Sequence, residues 1–134
     1  PQNYVPNTVV YTGTHDNPAS RGWYEELPPY QRQNLWRYLK SPEGESGQVA
    51  WDLIRLAWSS SAALAIAPLQ DLLNLGREGR MNVPGRAEGN WTWRCTKEML
   101  SAADFHSLRD LTSSSKRLGT LRAPLTSEMA EAAS

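Results

Sequence analysis

The sequence predicts an α/β fold built on a parallel sheet, and three observations support that prediction. Two short apolar runs, residues 9–12 and 64–67, have the length expected of buried strands. The segments between them space their apolar residues as amphipathic helices do. Strand, helices, turn and second apolar run follow one another in the order of β/α units. With 134 residues, the chain has the size of one domain.

The first apolar run, residues 9–12 (Val-Val-Tyr-Thr), combines β-branched and aromatic side chains. Because it is apolar on both faces, it is predicted to be a strand buried on both sides, as in parallel sheets. Gly13 ends the run, and His15 and Asp16 follow it. Folds with parallel sheets place ligand-binding groups at the carboxyl ends of their strands, so these two residues are candidates for chemistry.

Two interpretations of the residues after this strand remain open. Asp16 or Asn17 fits the N-cap of a helix whose first residue is Pro18, since Asn and Asp are favoured caps and proline fits the first helical position. The favoured interpretation makes Asn17 the cap. It leaves the Asp16 carboxylate available to a ligand.

Three helices are predicted before the second apolar run. The first covers residues 18–27, and the second covers residues 29–40 after a proline pair. Trp36 lies on the apolar face of the second helix and is predicted to be in the core. The third helix, ending near Ser59, has the clearest amphipathic spacing in the chain.

The second apolar run, residues 62–69, does not distinguish strand from helix by composition alone. Its position after the helices favours a strand at residues 64–67. A short helix is then predicted at residues 70–75, ended by Gly76.

A glycine-rich irregular stretch, residues 76–89, follows this helix. Long irregular loops in compact domains are usually binding loops or disordered segments. Met81, Asn82 and Trp91 in and beside the stretch favour a binding loop.

The C-terminal region is predicted to form one further helix with Ser101 as its cap. Its core face is assigned to three residues at three-residue steps, Phe105, Leu108 and Leu111. His106 points away from that face and is predicted to be a solvated surface histidine. Residues 119–134 have low hydrophobicity and an alanine-rich end, so they are predicted to be a disordered tail.

Composition argues against several classes of function. The 14 basic and 14 acidic residues give zero formal charge, so a nucleic-acid partner is not expected. The single cysteine, Cys95, allows no internal disulfide and fits a reducing, cytoplasmic compartment. No apolar run is long enough to span a bilayer, so no membrane partner is expected. No pair among His15, Asp16, Cys95 and His106 has metal-ligand spacing on one element, so no metal or other cofactor is predicted.

Two sequence blocks carry a resemblance to a known family. The first is residues 11–17, Tyr-Thr-Gly-Thr-His-Asp-Asn, followed by Arg-Gly-Trp-Tyr at residues 21–24. The second is residues 80–85, Arg-Met-Asn-Val-Pro-Gly, followed by Gly-Asn-Trp-Thr-Trp-Arg at residues 89–94. In this order the blocks resemble the signature of 4-α-glucanotransferases, the amylomaltase or disproportionating-enzyme family. The resemblance runs from about Asn7 to about Gly119.

The resemblance implies both an architecture and an activity. Residues 1–118 would be the C-terminal part of a (β/α)8 TIM-type barrel, the last two strands with their helices, and most of the catalytic domain would lie upstream. The activity would be retaining transfer of α-1,4-glucan segments from a donor to an acceptor glucan or glucose, with α-1,4-glucans and maltooligosaccharides as partners. The compartment would be the cytoplasm, or the plastid stroma in a plant. A non-catalytic sugar-binding fragment or another amylase-type glycoside hydrolase stays open as an alternative.

The resemblance also assigns roles to three residues. Asp16 matches the acidic residue that stabilises the transition state by holding ring hydroxyls, and His15 matches its hydrogen-bonding neighbour on the same sugar. Asn82 matches a loop position that contacts sugar. The family's nucleophilic Asp and acid/base Glu have no counterpart here, so the chain alone is predicted to be inactive. Residues 18–20, Pro-Ala-Ser, depart from the acidic residue and two threonines of the family pattern.

Five other carboxylates have no motif around them and are interpreted as surface or capping groups: Glu25, Glu26, Asp52, Asp71 and Glu78. Asp52 is close enough in sequence to pair with Arg55 on the third helix.

Overall fold

The structure is a computed structural model that describes residues 3–5, 7–40 and 46–119. Its elements follow the predicted order of strand, helices, strand and helices. They are β1 (Val9–Tyr11), α1 (Ser20–Glu26), α2 (Pro29–Leu39), α3 (Ser46–Trp58), β2 (Leu64–Ile66), α4 (Leu69–Leu72), a 3₁₀ turn (Arg77–Gly79), α5 (Lys97–Ala102) and α6 (Phe105–Ser114). The tail predicted at residues 119–134 lies outside the described residues except for Gly119.

The two strands form a parallel pair, which confirms the predicted α/β class. Val9 is opposite Leu64, and Tyr11 is opposite Ile66. The pairing continues one residue further, because the Thr12 N–H donates to the Ile66 carbonyl at 3.2 Å. Both strands therefore end at the same edge, where the following loops meet.

The prediction that β1 is buried on both faces is wrong for this chain. Val10 is half-buried and packs against α3, whereas Val9 and Tyr11 are 42% and 51% exposed. On β2, Leu64 and Ile66 are exposed in the same way, and Ala65 between them is half-buried. The helices of the described chain cover one face of the sheet, and side chains alternate between faces along a strand. The other face is a patch of four apolar side chains.

Helix α3 is the centre of the packing, and it contacts α1, α4, α6 and β2. Residues of α3 belong to both of the buried apolar clusters. In the first cluster, Val49 packs with Tyr24 and with Trp36, which is 2% exposed as predicted. In the second, Ile54 and Trp58 pack against the strands and α6. Burying these large apolar side chains is the main favourable term holding the helices to the sheet.

The two aromatic residues of the first cluster, Tyr24 and Trp36, also share a hydrogen bond. The rings of Tyr24 and Trp36 meet edge to face, with centroids 5.8 Å apart. The Trp36 indole N–H donates to the Tyr24 hydroxyl at 3.0 Å. This hydrogen bond satisfies the indole N–H, which would otherwise be buried without a partner.

The predicted capping of the first helix by Asn17 is wrong. The helix begins at Ser20, its N-cap is Ala19, and the N-cap side chain makes no capping hydrogen bond. Asn17 instead closes a local turn, in which its Oδ1 accepts from the N–H and the hydroxyl of Thr14 at 2.9 Å each. Asx side chains satisfy turns as readily as helix ends, so the cap residue type alone did not decide between them.

The C-terminal region differs from its prediction in two respects. It forms two helices instead of one, capped by the side chains of Thr96 and Asp104 and not by Ser101. Phe105 is 47% exposed, whereas Leu108 and Leu111 pack against the second cluster. A strict three-residue step drifts by about 60° per step around a helix with 3.6 residues per turn, so the three side chains do not share one narrow face.

Arg117 holds the end of this region against the body of the domain. Its guanidinium donates to the carbonyls of Trp58, Ser60 and Ala62 at 2.6, 2.6 and 2.9 Å. Because these carbonyls belong to the turn between α3 and β2, Arg117 fixes the chain after α6 to the entrance of the second strand.

Asp71, interpreted as a surface or capping carboxylate, does not lie at the surface, because it is 1% exposed, but it does accept from the first N–H of α1. One carboxylate oxygen accepts from the Ser20 N–H at 2.7 Å. The other accepts from the hydroxyls of Thr12 and Ser20 at 2.6 and 2.8 Å. One buried carboxylate on α4 therefore links the end of β1 to the start of α1.

Replacing Asp71 is expected to destabilise the fold. Asp71→Ala leaves the Ser20 N–H and the Thr12 hydroxyl without their acceptor, which should lower the free energy of unfolding by about 2–4 kcal/mol. Urea denaturation of the full chain measures the change. The matched control is Asp110→Ala on the exposed surface of α6, for which we expect a change within about 0.5 kcal/mol. Equal effects of the two substitutions would contradict this account of Asp71.

Candidate functional site

The three site residues predicted from the sequence come together in the structure. His15 and Asp16 lie in the turn after β1, and Asn82 lies in the loop after the 3₁₀ turn. The Asn82 Nδ2 donates to the Asp16 Oδ1 at 2.6 Å, across 66 residues of sequence. The His15 Nε2 lies 3.4 Å from the same oxygen. The Asp16 carboxylate is thus the point on which an imidazole and an amide converge.

The site remains open to solvent, as a ligand-binding site must. The side chains of His15 and Asp16 are 57% and 48% exposed. A cavity of about 460 Å³ at the carboxyl ends of both strands adjoins His15, whereas Asp16 and Asn82 are not among its lining residues. It is lined by residues from β1, the turn after it, α4 and the loop of Asn82, among them Tyr11, His15, Asp71 and Met81. Its size is in the range of small-molecule sites.

Backbone hydrogen bonds connect the two segments that carry the site. The Asn82 N–H donates to the His15 carbonyl at 3.1 Å. The Arg80 guanidinium donates from Nε to the Asn82 carbonyl and from Nη2 to the Asp16 carbonyl, both at 2.9 Å. Because the guanidinium is planar and presents its donors in a fixed fork, one side chain sets the spacing of both segments.

Hydrogen bonds between Thr14 and Asn17 close the turn that carries His15 and Asp16. The Asn17 N–H donates to the Thr14 carbonyl at 3.1 Å, and the Asn17 side chain accepts from Thr14 in return. The two site residues lie between these partners. At the start of this turn, Thr12 is held by Asp71.

A second aromatic ring lies beside the histidine. The Trp91 ring centroid is 5.2 Å from that of His15, with an angle of 38° between the ring planes. Trp91 reaches this position because its N–H donates to the Met81 carbonyl at 2.7 Å. Asn90 closes the loop in between, accepting from the Val83 N–H and donating to the Arg86 carbonyl at 2.9 Å each.

The 3₁₀ turn that leads into the Asn82 loop is fixed by Glu78. The Glu78 carboxylate accepts from the Gly76 N–H at 2.8 Å and from Arg21 at 3.2 Å. The Gly76 hydrogen bond is the largest cause that lowers the pKa of Glu78, and the Arg21 charge adds to it. A lowered pKa keeps this carboxylate ionised over the acid side of neutrality.

Two residues that support the site were missed by sequence reasoning. Arg80 is inside one of the family-like blocks but has no motif chemistry of its own. Asp71 lies in the first turn of the short helix α4, where an acidic residue is common because it faces the positive end of the helix dipole. No local pattern shows that either side chain contacts a segment more than fifty residues away.

The remaining candidate residues do not join the site. His106 is exposed as predicted and lies 3.2 Å from Asp110 on its own helix. Cys95 is exposed and unpaired. Within residues 3–5, 7–40 and 46–119, no three His, Cys, Asp or Glu side chains form a group that could hold a metal ion. Among the same residues, no helix is long and apolar enough to cross a membrane.

Comparison with known proteins identifies the family. A family model described as 4-alpha-glucanotransferase matches residues 1–100. The chain belongs to the 4-alpha-glucanotransferase family. It is 51% identical over 102 residues to the 4-alpha-glucanotransferase of Synechocystis, covering 75% of this chain and 20% of that protein. It is 42% identical over 123 residues to the Thermus thermophilus 4-alpha-glucanotransferase, covering 88% and 25%.

A solved structure agrees with this membership. The amylomaltase from Streptococcus agalactiae, determined in complex with acarbose, matches with a TM-score of 0.79 and 32% identity. The match covers 87% of this chain and 23% of that one. Curated 4-alpha-glucanotransferases include a chloroplastic or amyloplastic protein of Solanum tuberosum, of which the chain spans 16%. The chain therefore spans about a quarter or less of the length of these family members.

Removing Arg80 is expected to loosen the junction between the two segments of the candidate site. Arg80→Ala removes two hydrogen bonds, so we expect the Asn82 amide proton, which is bonded to His15, to exchange about tenfold faster. Hydrogen exchange followed by NMR measures the rate. Arg86→Ala, an exposed arginine in the same loop, is the control and should leave the rate unchanged. If the two variants exchanged alike, Arg80 would not be what holds the segments together.

Proposed function

We propose that this chain contributes the sugar-holding part of the active site of a 4-alpha-glucanotransferase. The enzyme would transfer segments of α-1,4-glucan from a donor to an acceptor glucan or glucose by retaining double displacement. The observation that carries the proposal is the convergence of Asp16, His15 and Asn82 on one edge of the sheet. Membership of the 4-alpha-glucanotransferase family indicates the reaction in which these three side chains would take part.

In this proposal, Asp16 stabilises the transition state. Its carboxylate holds ring hydroxyls of the sugar at the cleavage point, and the interaction strengthens as the ring gains positive charge. An interaction that is stronger in the transition state than in the ground state raises the rate of the chemical step. His15 and Asn82 bind the same sugar and aim the carboxylate, since both contact its Oδ1.

The finer architecture is also part of the proposal. Strands β1 and β2 would be the last two strands of a (β/α)8 barrel, with residues 1–118 as the C-terminal portion of the catalytic domain. The exposed patch of Val9, Tyr11, Leu64 and Ile66 would pack inside that barrel. Support comes from the parallel pairing and from the site at the carboxyl ends of the strands, where barrel enzymes carry out their chemistry.

The remaining parts of the reaction would come from outside this chain. A nucleophilic carboxylate and an acid/base carboxylate are both required for retaining transfer. Two carboxylates near the described helices have structural partners: Asp52 pairs with Arg55 at 2.7 Å as predicted, and Glu26 pairs with Arg77 at 2.7 Å. The cytoplasm, or the plastid stroma, is the proposed compartment, in keeping with bacterial and chloroplastic family members.

A chimaeric enzyme tests the proposal. In it, this chain replaces the matching segment of the Thermus thermophilus protein, to which it is 42% identical. We expect the chimaera to release glucose from maltotriose while forming longer maltodextrins. Asp16→Asn keeps the shape but removes the charge, so kcat should fall by about 10²–10³. KM should change by less than about threefold, because the lost interaction belongs to the transition state.

The control for this test is Asp110→Asn, which removes a carboxylate from the exposed surface of α6. It should leave kcat unchanged. Melting temperatures of both variants separate loss of folding from loss of chemistry. A normal kcat for Asp16→Asn would remove Asp16 from the mechanism, and a folded chimaera without any activity would contradict the proposed function.

The chain by itself should not catalyse transfer. Purified 134-residue protein, free of any full-length enzyme, is expected to release no glucose from maltotriose, because it would lack the covalent step. Chromatography of the products gives the answer. Sustained glucose release would show that the chain contains a nucleophile that the proposal places elsewhere.

A further inference from the structure

Trp91 is a large aromatic residue that combines a positive backbone φ with an exposed side chain. Its backbone φ is +62°, in the left-handed region that favours glycine. Its side chain is 51% exposed. By contrast, Trp36 and Trp58 are 2% and 9% exposed, and each donates its indole N–H to a neighbouring hydroxyl. Those two tryptophans have packing roles in the clusters, whereas Trp91 leaves half of its surface in solvent.

The backbone of Trp91 is held on both sides. Its N–H donates to the Met81 carbonyl at 2.7 Å, and its carbonyl accepts from the Arg94 guanidinium at 2.8 Å. A bulky residue with positive φ costs of order 1–3 kcal/mol, which surrounding interactions must offset. Strain of this kind is concentrated at sites that bind ligands or carry out chemistry.

The position of the indole relates it to the candidate site. Its ring is 5.2 Å from the His15 ring, and His15 in turn lies 3.4 Å from the Asp16 carboxylate. Trp91 follows Asn90, which closes the loop that begins just after Asn82. An exposed apolar surface thus borders the His15 imidazole, which in turn lies beside the Asp16 carboxylate.

We propose that Trp91 is a stacking platform for a glucose ring of a bound α-1,4-glucan. This inference rests on the proposed function, and it adds the apolar half of the binding chemistry. A pyranose ring has hydroxyls at its rim and aliphatic C–H groups on its faces. The polar site residues match the rim, and the exposed indole matches a face, as in sites that combine aromatic surface with a few placed polar groups.

Two substitutions in the chimaeric enzyme separate binding from folding. Trp91→Gly removes the ring and suits a positive φ, so the melting temperature should stay the same or rise. The Kd for acarbose, measured by isothermal titration calorimetry, should rise about tenfold. Trp91→Phe keeps an aromatic face and should keep the Kd within about threefold of the parent. The kcat of each variant should stay within about twofold.

The control is Tyr38→Ala, which removes an exposed aromatic side chain from α2 away from the site. It should leave the Kd for acarbose unchanged. A Trp91→Gly variant with the parent's Kd would overturn the inference. So would a lower kcat at unchanged Kd, because Trp91 would then act by positioning His15. If Trp91→Gly lost both stability and affinity, the Phe variant would decide: affinity retained supports the platform, and affinity lost overturns it.

The same set of variants distinguishes this inference from the proposed function. A large loss of kcat in Asp16→Asn together with normal acarbose binding by Trp91→Gly would reject the platform alone. Normal kcat in Asp16→Asn would reject the proposed role of the site, whatever the affinity of the Trp91 variants.

Discussion

The buried carboxylate of Asp71 is the interaction on which the geometry of the site depends. Removing a charged group from water is costly, and here three hydrogen bonds from Thr12 and Ser20 offset that cost. These two residues bound the turn that carries His15 and Asp16. Because the carboxylate is itself fixed at the start of α4, directly after β2, it connects the ends of both strands to the turn. The constraint explains how residues 12–19, eight residues without helix or strand, present two polar side chains in one direction.

A second set of contacts aligns this turn with the loop of Asn82. Arg80 donates to one carbonyl on each segment, and the Asn82 side chain and backbone both contact the turn. The cluster is thus held in place by hydrogen bonds within the protein. Preorganised polar groups stabilise developing charge well, because they need little reorganisation when the charge appears. The open cavity beside His15 has the volume of a small-molecule site.

Much of this arrangement could be predicted from the sequence, because its signals are local. The strand at Val9 and its parallel partner at Leu64 follow from composition and order, and His15 and Asp16 follow from their place after a strand. The family resemblance implied that Asp16 and Asn82 each contact sugar, but nothing in the sequence predicted the hydrogen bond between their side chains. Asp71, Arg80 and the exposed face of β1 could not be predicted, since each depends on which distant residues pack nearby. The capping errors at Asn17 and Ser101 arose because Asx and Ser residues favour turns and helix ends alike.

Asp16, His15 and Asn82 are proposed to form one sugar-binding cluster. A crystal structure of the chimaeric enzyme with acarbose bound would test it most directly. We predict hydroxyls of one sugar ring within about 2.6–3.2 Å of the Asp16 carboxylate, with His15 and Asn82 contacting the same ring. Acarbose bound elsewhere, with the Asp16 carboxylate still hydrogen-bonded to Asn82 and touching no sugar, would contradict the account.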